Sequence, residues 1–189
     1  MSPVEIVQVA PTMAELLAEI ADMAADTSLP AGTSTEAATD LSARGFFVSG
    51  YSLDQYLEAA AHGRLAATVE DGHATGFLLT YGPTDPVDPG DAGSRFIREQ
   101  FGAAAPIIKQ IASGAAHAGK GHARLLYERF AATQGADVFA AIVKFPPNHG
   151  SEAFHRKLGF HECAVFDHPD GKPRGIWRWP LDRQPAGTA

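Results

Sequence analysis

Apolar and polar residues recur along the chain with two different periods, and these periods predict its strands and helices. The apolar positions Met13, Leu16, Leu17, Ile20 and Met23 have the spacing of one buried helix face, whereas shorter runs alternate or are rich in β-branched residues, as strands are. The predicted strands cover residues 4–9, 65–69, 74–81, 105–113, 137–144, 160–166 and 174–181. The predicted helices begin after Pro11, at 52, 94 and 123, and after Asn148. Hairpins combined with a crossover helix predict a mixed sheet with helices on both faces, in a three-layer α/β (α+β) domain.

Two stretches lack either period. Residues 27–39 are rich in Ser, Thr, Gly and Ala, and are interpreted as a connection with at most a turn or two of helix. Residues 83–93 contain three prolines and two glycines, which excludes regular structure. Their acidic residues Asp85, Asp88 and Asp91 either attract a cationic substrate or form a solvated loop. The solvated loop is the commoner case, so this stretch is left out of the predicted site.

A glycine-rich turn separates the strand at 105–113 from the helix that follows. Gly119 and Gly121 flank Lys120 in this turn, and the helix is predicted to start near Ala123. Glycine permits a tight backbone turn, and the first amides of a helix have no acceptor within the helix, so they can point together at an anion. The turn is therefore predicted to bind phosphate.

Two nucleotide-binding motifs match this turn in part. Residues 114–120 match most of a P-loop, but Gly121 stands where a Ser or Thr would bind magnesium, and the next strand does not end in an acid. The dinucleotide fingerprint fails because no third glycine follows at the required spacing. A P-loop phosphotransferase would require magnesium-dependent nucleotide binding, which would distinguish it from the hypothesis below.

The turn resembles the acyl-coenzyme A loop of the GNAT-type N-acetyltransferase superfamily. The family signature is Gln or Arg, two residues, Gly, one residue, then Gly or Ala; here it falls on Ala118, Gly121 and Ala123, with Ala118 in place of the long polar residue. The resemblance implies that acetyl-coenzyme A binds as co-substrate, mainly through backbone amides, and that the preceding strand contacts its pantetheine arm. The implied cofactor-binding residues are Ile111, Ala112, Ser113, Gly119, Lys120, Gly121, His122, Ala123, Asn148 and Ser151.

A second stretch, residues 148–160, resembles the last motif of the same family. Asn148 precedes a short predicted helix, which Asn148 or Ser151 can cap; His155 lies seven positions after Asn148, and Gly159 closes the helix. The resemblance places His155 where a tyrosine general acid is usual, and implies that its imidazole protonates the departing thiolate. A packed, hydrogen-bonded histidine is the alternative. The resemblance further implies a GNAT-like sheet of six to seven strands that splays in the middle to admit the cofactor.

Neither a general base nor a catalytic metal is identified from the sequence. The strand at 105–113 contains no carboxylate. The eight histidines include pairs such as His117 and His122, five positions apart, but not the spacing of three or four that aligns two ligands on a helix face. No metal is therefore predicted. The single cysteine, Cys163, is predicted to be a buried small apolar residue instead of a nucleophile.

Composition narrows the class of protein. The chain has 189 residues and a formal net charge of −7, which argues against a nucleic-acid partner. It contains no apolar run of membrane-spanning length and no signal-peptide pattern, and its lone cysteine is typical of a reducing compartment, so a cytoplasmic protein without a membrane partner is predicted. One domain over 1–189 is expected, with its core at 4–181 and a disordered tail at 183–189.

These observations lead to two hypotheses of different classes. The first is an enzyme that transfers an acetyl group from acetyl-coenzyme A directly to a primary amine of a small molecule or a peptide. The second is a non-catalytic acyl-coenzyme A-binding module that acts as a sensor or interaction partner. The resemblance also implies a homodimer, because members of the family often form one.

Overall fold

Seven strands and five helices make up the regular structure that a computed structural model describes for residues 3–29, 38, 41–48 and 50–181. The strands are β1 (Glu5–Gln8), β2 (Leu65–Glu70), β3 (His73–Tyr81), β4 (Ile107–Ser113), β5 (Val138–Val143), β6 (His161–Phe166) and β7 (Arg174–Trp179). The helices are α1 (Ala14–Thr27), α2 (Leu53–Ala61), α3 (Ala92–Phe101), α4 (His122–Ala131) and α5 (His149–Lys157), and a 3₁₀ turn (Ala115–His117) precedes α4. Each strand and helix predicted from periodicity is confirmed, with bounds shifted by a few residues.

The strands form one mixed sheet in the order β1-β2-β3-β4-β5-β7-β6. Neighbouring strands are antiparallel except for β4 and β5, which run parallel and are joined through α4. The β2–β3 hairpin turns at Asp71 and Gly72, whose φ angles of 53° and 85° suit the two central positions of a tight hairpin turn. The expected mixed sheet of six to seven strands is confirmed.

Side chains alternate between the two faces of the sheet and bury a layer of helices on each. Phe77, Leu79 and Tyr81 of β3 share one face with the inward sides of α1, α2 and α3. Leu78, between them, packs on the other face with Leu126 of α4 and the residues around α5. This period of two along β3 produces the three layers predicted from the sequence.

Local sequence signals explain where two helices begin. Ser52 caps α2 in a reciprocal arrangement, because its Oγ accepts from the Gln55 amide at 3.4 Å while its own amide donates to Gln55 Oε1 at 2.9 Å. Asp91 caps α3 by accepting from the Ser94 amide at 3.1 Å. Both caps thus mark where a loop ends and the following helix begins.

Two expectations about single residues are wrong. Cys163 is exposed, because β6 is an edge strand and Cys163 is the residue that the irregularity between Glu162 and Ala164 leaves out of the pairing with β7. Asp91 is buried, because it caps α3 and forms an ion pair of 2.8 Å with Lys109 of β4, whereas the loop containing it was expected to be solvated.

Several expectations are not tested by the fold. Most of the connection predicted at 27–39, and the tail predicted at 183–189, lie outside the described residues. The single domain over 1–189 stays a prediction. Among the described residues, no helix combines the length and the apolar composition needed to cross a membrane.

Candidate functional site

The central feature is a cleft where β4 and β5 diverge. The two strands pair only through Ile107 with Phe139 and Ile108 with Ala140, although both continue beyond these residues. Next to this divergence the pairing of β3 with β4 shifts by one residue, and the extra residue of β4 is Lys109. The cleft has a volume of about 1270 Å³. That exceeds the ~300–1,000 Å³ of an ordinary small-molecule pocket, and leaves room for two substrates.

The cleft brings together nearly all the site residues predicted from the sequence. Its lining includes Ile111, Ala112, Ser113, Gly119, Gly121, His122, Ala123, Asn148, Ser151 and His155. Lys120 is exposed and does not contribute to the lining. The two motifs, which are about thirty residues apart in the sequence, therefore face the same space.

The glycine turn opens α4 toward the cleft. Gly119 and Gly121 have φ angles of 76° and 89°, a left-handed conformation that other residues rarely adopt. A Cβ atom at either position would have nothing within 4 Å, so glycine is required here for backbone conformation and not for space. The first backbone bond of the helix runs from the Leu125 amide to the Gly121 carbonyl at 3.0 Å. The amides of His122, Ala123 and Arg124 thus have no acceptor within the helix and are available to an anion, whereas the Lys120 amide donates to the His117 carbonyl at 3.2 Å.

His122 lies at the first position of α4 and is buried. Its Nδ1 is 2.7 Å from Thr75 Oγ1, and Thr75 in turn is 3.1 Å from the Thr68 carbonyl. Burial, together with the neighbouring His117, lowers the pKa of His122 and so favours the neutral form of its ring. The side chain of His122 is therefore anchored to the β2–β3 hairpin, and its contribution to an anion site is its backbone amide.

Asn148 binds another part of the chain. It occupies the position before α5, but its side chain makes no capping bond; instead its Oδ1 accepts from the Phe46 amide at 3.3 Å and its Nδ2 donates to the Phe46 carbonyl at 2.9 Å. Ser42 adds a second link, donating to the Pro147 carbonyl at 2.6 Å and accepting from the His149 amide at 3.1 Å. The capping role expected for Asn148 is wrong, since its amide joins residues 41–48 to the start of α5.

Gly150 allows the backbone of residues 43–45 to approach the start of α5 closely. A Cβ atom on Gly150 would lie 2.5 Å from the Gly45 amide nitrogen and 2.6 Å from the Ala43 carbonyl oxygen. Only glycine allows two backbone segments to approach so closely. Residues 42–46 therefore pack directly on the first turn of α5.

His155 is buried at the wall of the cleft among the rings of Tyr127, Phe154 and Phe160. Its Nε2 is 2.8 Å from the Tyr127 hydroxyl and its Nδ1 is 2.7 Å from the Ser151 carbonyl. A carbonyl only accepts, so Nδ1 carries the proton and Nε2 accepts from the tyrosine. Burial lowers the pKa of His155 to about 4 against the opposing bond to Ser151. At neutral pH the ring is thus neutral, and its single N–H is already used, which argues against the expected role as general acid in this state.

Comparison with known proteins identifies the architecture. No protein-family model and no curated protein sequence matches the chain. Solved structures do: a GNAT-family acetyltransferase from Bacillus cereus superposes with a TM-score of 0.62 at 13% identity, covering 96% of this chain and 99% of that one. The chain has the GNAT fold. The GNAT fold implied by the two motifs is thus confirmed, at low sequence identity.

Two further structures with the GNAT fold were determined with ligands. The putative acetyltransferase yncA from Salmonella typhimurium, with its cofactor acetyl-CoA, has a TM-score of 0.60 at 18% identity and covers 100% of this chain and 99% of that one. Naa20 from Chaetomium thermophilum, in complex with a bisubstrate analogue, has a TM-score of 0.62 at 16% identity and covers 95% and 87%.

Some groups at this cleft were missed by sequence reasoning. No general base is identified from the sequence, but carboxylates of α1 line the cleft, among them the exposed Asp22 and Asp26. On β4, Gln110 accepts from the Tyr56 hydroxyl at 2.7 Å, which links the diverging strand to α2. Neither feature has a local sequence signal, because α1 and α2 are far from β4 in the chain.

Proposed function

We propose that this chain is an acetyl-coenzyme A-dependent N-acetyltransferase that acetylates a primary amine. The observation that carries the proposal is the divergence of β4 and β5 beyond two paired residues, with the glycine turn at the edge of the resulting cleft. A pantetheine arm consists of amides, and an opened strand edge offers backbone partners for them. The pyrophosphate would accept from the first amides of α4, where the helix dipole also favours negative charge.

The chemistry needs few side chains. A neutral amine attacks the thioester carbonyl, the new C–N bond forms, the C–S bond breaks, and the proton lost by nitrogen balances the proton gained by the thiolate. Holding both reactants in one cleft contributes up to ~7–11 kcal/mol to such a reaction. The exposed carboxylates Asp22 and Asp26 on α1 would draw a cationic amine to the cleft.

For His155 we propose a positioning role in place of the general-acid role suggested by the family motif. Its ring bridges Tyr127 of α4 and Ser151 of α5, so it fixes the two helices that border the cleft. With a pKa of about 4, only about one ring in a thousand would carry a second proton at pH 7. A general acid is more effective when its pKa lies near the working pH.

The first test is binding of acetyl-coenzyme A measured by calorimetry. The native chain should bind with a stoichiometry of one, and Gly121→Asp should abolish binding, because it adds a carboxylate where the phosphates would lie. Gly63→Asp is the matched control: Gly63 has a similar φ of 67° and open space around it, but it does not line the cleft. Binding that survives Gly121→Asp, or that is absent from the native chain, would contradict the proposal.

The second test is turnover. Release of free thiol from acetyl-coenzyme A should depend on an added primary amine, in a panel containing small amines and peptides with free N-termini. The proposal fails if saturable binding is accompanied by no amine-dependent release across the panel.

The hydrogen bonds of His155 favour a second candidate function, that of a non-catalytic acyl-coenzyme A-binding module. Both ring nitrogens are occupied, so the residue expected to act as acid offers no proton in this state. Saturable binding without turnover is the result that would select this candidate over the enzyme. In either case, the homodimer implied by the resemblance stays a prediction.

A further inference from the structure

Three side chains capable of binding a metal meet beside the glycine turn. Glu70 ends β2, His117 ends the 3₁₀ turn, and His122 begins α4. One ligand atom from each lies within 4.8 Å of the ligand atoms of the other two. The cluster is partly shielded from solvent, since His122 is buried and the side chains of His117 and Glu70 are 26% and 20% exposed.

The hydrogen bonds of His122 leave one nitrogen as a ligand. Thr75 Oγ1 is 3.1 Å from both the Thr68 carbonyl and Thr68 Oγ1; when it donates to the carbonyl, which only accepts, it accepts from Nδ1 of His122 at 2.7 Å. In that arrangement Nδ1 carries the proton and Nε2 keeps a lone pair. A histidine that ligates a metal commonly has its other nitrogen oriented by such a partner.

His117 and Glu70 are spaced for an ion between them. Nδ1 of His117 is 3.7 Å from Glu70 Oε2, too far for a hydrogen bond. This nitrogen is buried and has no hydrogen-bond partner among the described residues. Two ligands each about 2.0–2.1 Å from a tetrahedral ion lie about 3.3 Å apart, so a bound ion would draw the cluster together by up to roughly 1.5 Å.

We propose that Glu70, His117 and His122 bind a divalent transition-metal ion, with Zn²⁺ the best match. Two neutral imidazoles and one carboxylate form a common three-residue zinc set that leaves a fourth position for water. No sequence pattern indicates this cluster: His117 precedes α4, so its distance of five residues from His122 does not follow helix geometry, and Glu70 belongs to β2.

The ion would fasten both ends of the glycine turn to the β2–β3 hairpin. His117 and His122 bracket residues 118–121, while Glu70 and Thr75 belong to the hairpin. A glycine-rich segment loses much conformational freedom when it becomes ordered, and an ion that orders it beforehand removes part of that cost from ligand binding. This consequence for acetyl-coenzyme A rests on the proposed function, whereas metal binding itself does not.

The test uses untagged full-length protein, without acetyl-coenzyme A. Zn²⁺ titrated against a chelating indicator should show one tight equivalent, and Zn²⁺ should raise the melting temperature. Glu70→Gln and His117→Gln, which change partly exposed side chains, should each weaken Zn²⁺ binding by at least about tenfold. His161→Gln is the control, because His161 is exposed on β6 and should leave the affinity unchanged.

A second readout needs no variant. Co²⁺ in place of Zn²⁺ should give the visible absorption of a four-coordinate site with nitrogen and oxygen ligands, and Zn²⁺ should displace it. The proposal is overturned if the native chain shows no saturable equivalent, or if Glu70→Gln and His117→Gln bind as tightly as the native chain. A loss of acetyl-coenzyme A binding with metal binding retained would refute the proposed function alone.

Discussion

The turn before α4 and the junction before α5 border the same cleft, but their polar groups are arranged in opposite ways. At the glycine turn, the first amides of α4 lack an acceptor within the helix, and the positions of Gly119 and Gly121 are open. At the junction, the Asn148 side chain forms both of its bonds with Phe46, and backbone surrounds Gly150. The first region is prepared to receive a ligand, whereas the second already has its partners within the chain.

The resemblance assigned both regions to the cofactor site, but the structure separates two roles: the turn can bind a ligand, and the junction holds parts of the chain together. Asn148 and Ser151 were expected to contact the cofactor, but Asn148 holds residues 41–48, and the carbonyl of Ser151 holds His155. We therefore expect changes at the junction to act mainly through stability, and changes at the turn to act mainly through binding.

The largest expected effect is a loss of folding stability at low pH, caused by protonation of His155. Its pKa is about 6.5 when unfolded and about 4 in the fold, so the unfolded chain binds the extra proton first as the pH falls. The stability from this neutral ring is complete above about pH 6.5, and about 3 kcal/mol of it is lost as the pH falls toward 4. Urea unfolding at several pH values should show that this loss is removed by His155→Gln.

His161→Gln provides the control for this measurement, because His161 is exposed. Other groups also titrate in this range, so the decisive quantity is the difference in slope between each variant and the native chain. Equal slopes for native and His155→Gln would mean that the ring is accessible to protons, and that the junction is not closed.

Gly150→Ala should destabilise the fold by about 2–3 kcal/mol. The added methyl group meets the backbone of residues 43–45, which cannot rotate away as a side chain can. Thermal unfolding should show the loss, at roughly 2–4 °C per kcal/mol for a chain of this size. Gly135→Ala is the matched control, with nothing within 4 Å and no positive φ. If both variants melt like the native chain, the close approach at Gly150 is not real.

Gly121→Ala tests the open turn with a smaller effect on stability. The left-handed backbone costs a residue with a Cβ about 1–2 kcal/mol, so stability should fall by that amount. Gly63→Ala should cost a similar amount, because Gly63 also has a positive φ and open surroundings. Calorimetry should separate the two variants: only Gly121→Ala weakens acetyl-coenzyme A binding. Equal affinities would remove the turn from the binding site.

The contrast between the two regions also explains which parts of the fold and of the candidate site could be predicted from the sequence. The turn and the start of α4 depend on neighbouring residues, so Gly119, Gly121 and the following apolar period are sufficient to locate them. The bond of Asn148 to Phe46 joins residues 102 positions apart, and the contact of Tyr127 with His155 spans 28. Such partners depend on how the helices pack, and no periodicity within either segment records them.

The smallest expected effect is that of Lys120, the one predicted site residue outside the cleft lining. Its charge is exposed beside the turn, so it would attract a pyrophosphate at long range and through solvent. Lys120→Ala should leave stability unchanged and weaken acetyl-coenzyme A binding by no more than about fivefold, in keeping with an exposed charge pair of under about 1 kcal/mol. The weakening should shrink as salt is added, because the Debye length falls to about 8 Å near physiological ionic strength.

Arg129→Ala, at the far end of α4, is the control and should have no effect on affinity. A loss of affinity that persists at high salt would show that Lys120 contacts the phosphates directly, and would extend the binding site beyond the open amides of the turn.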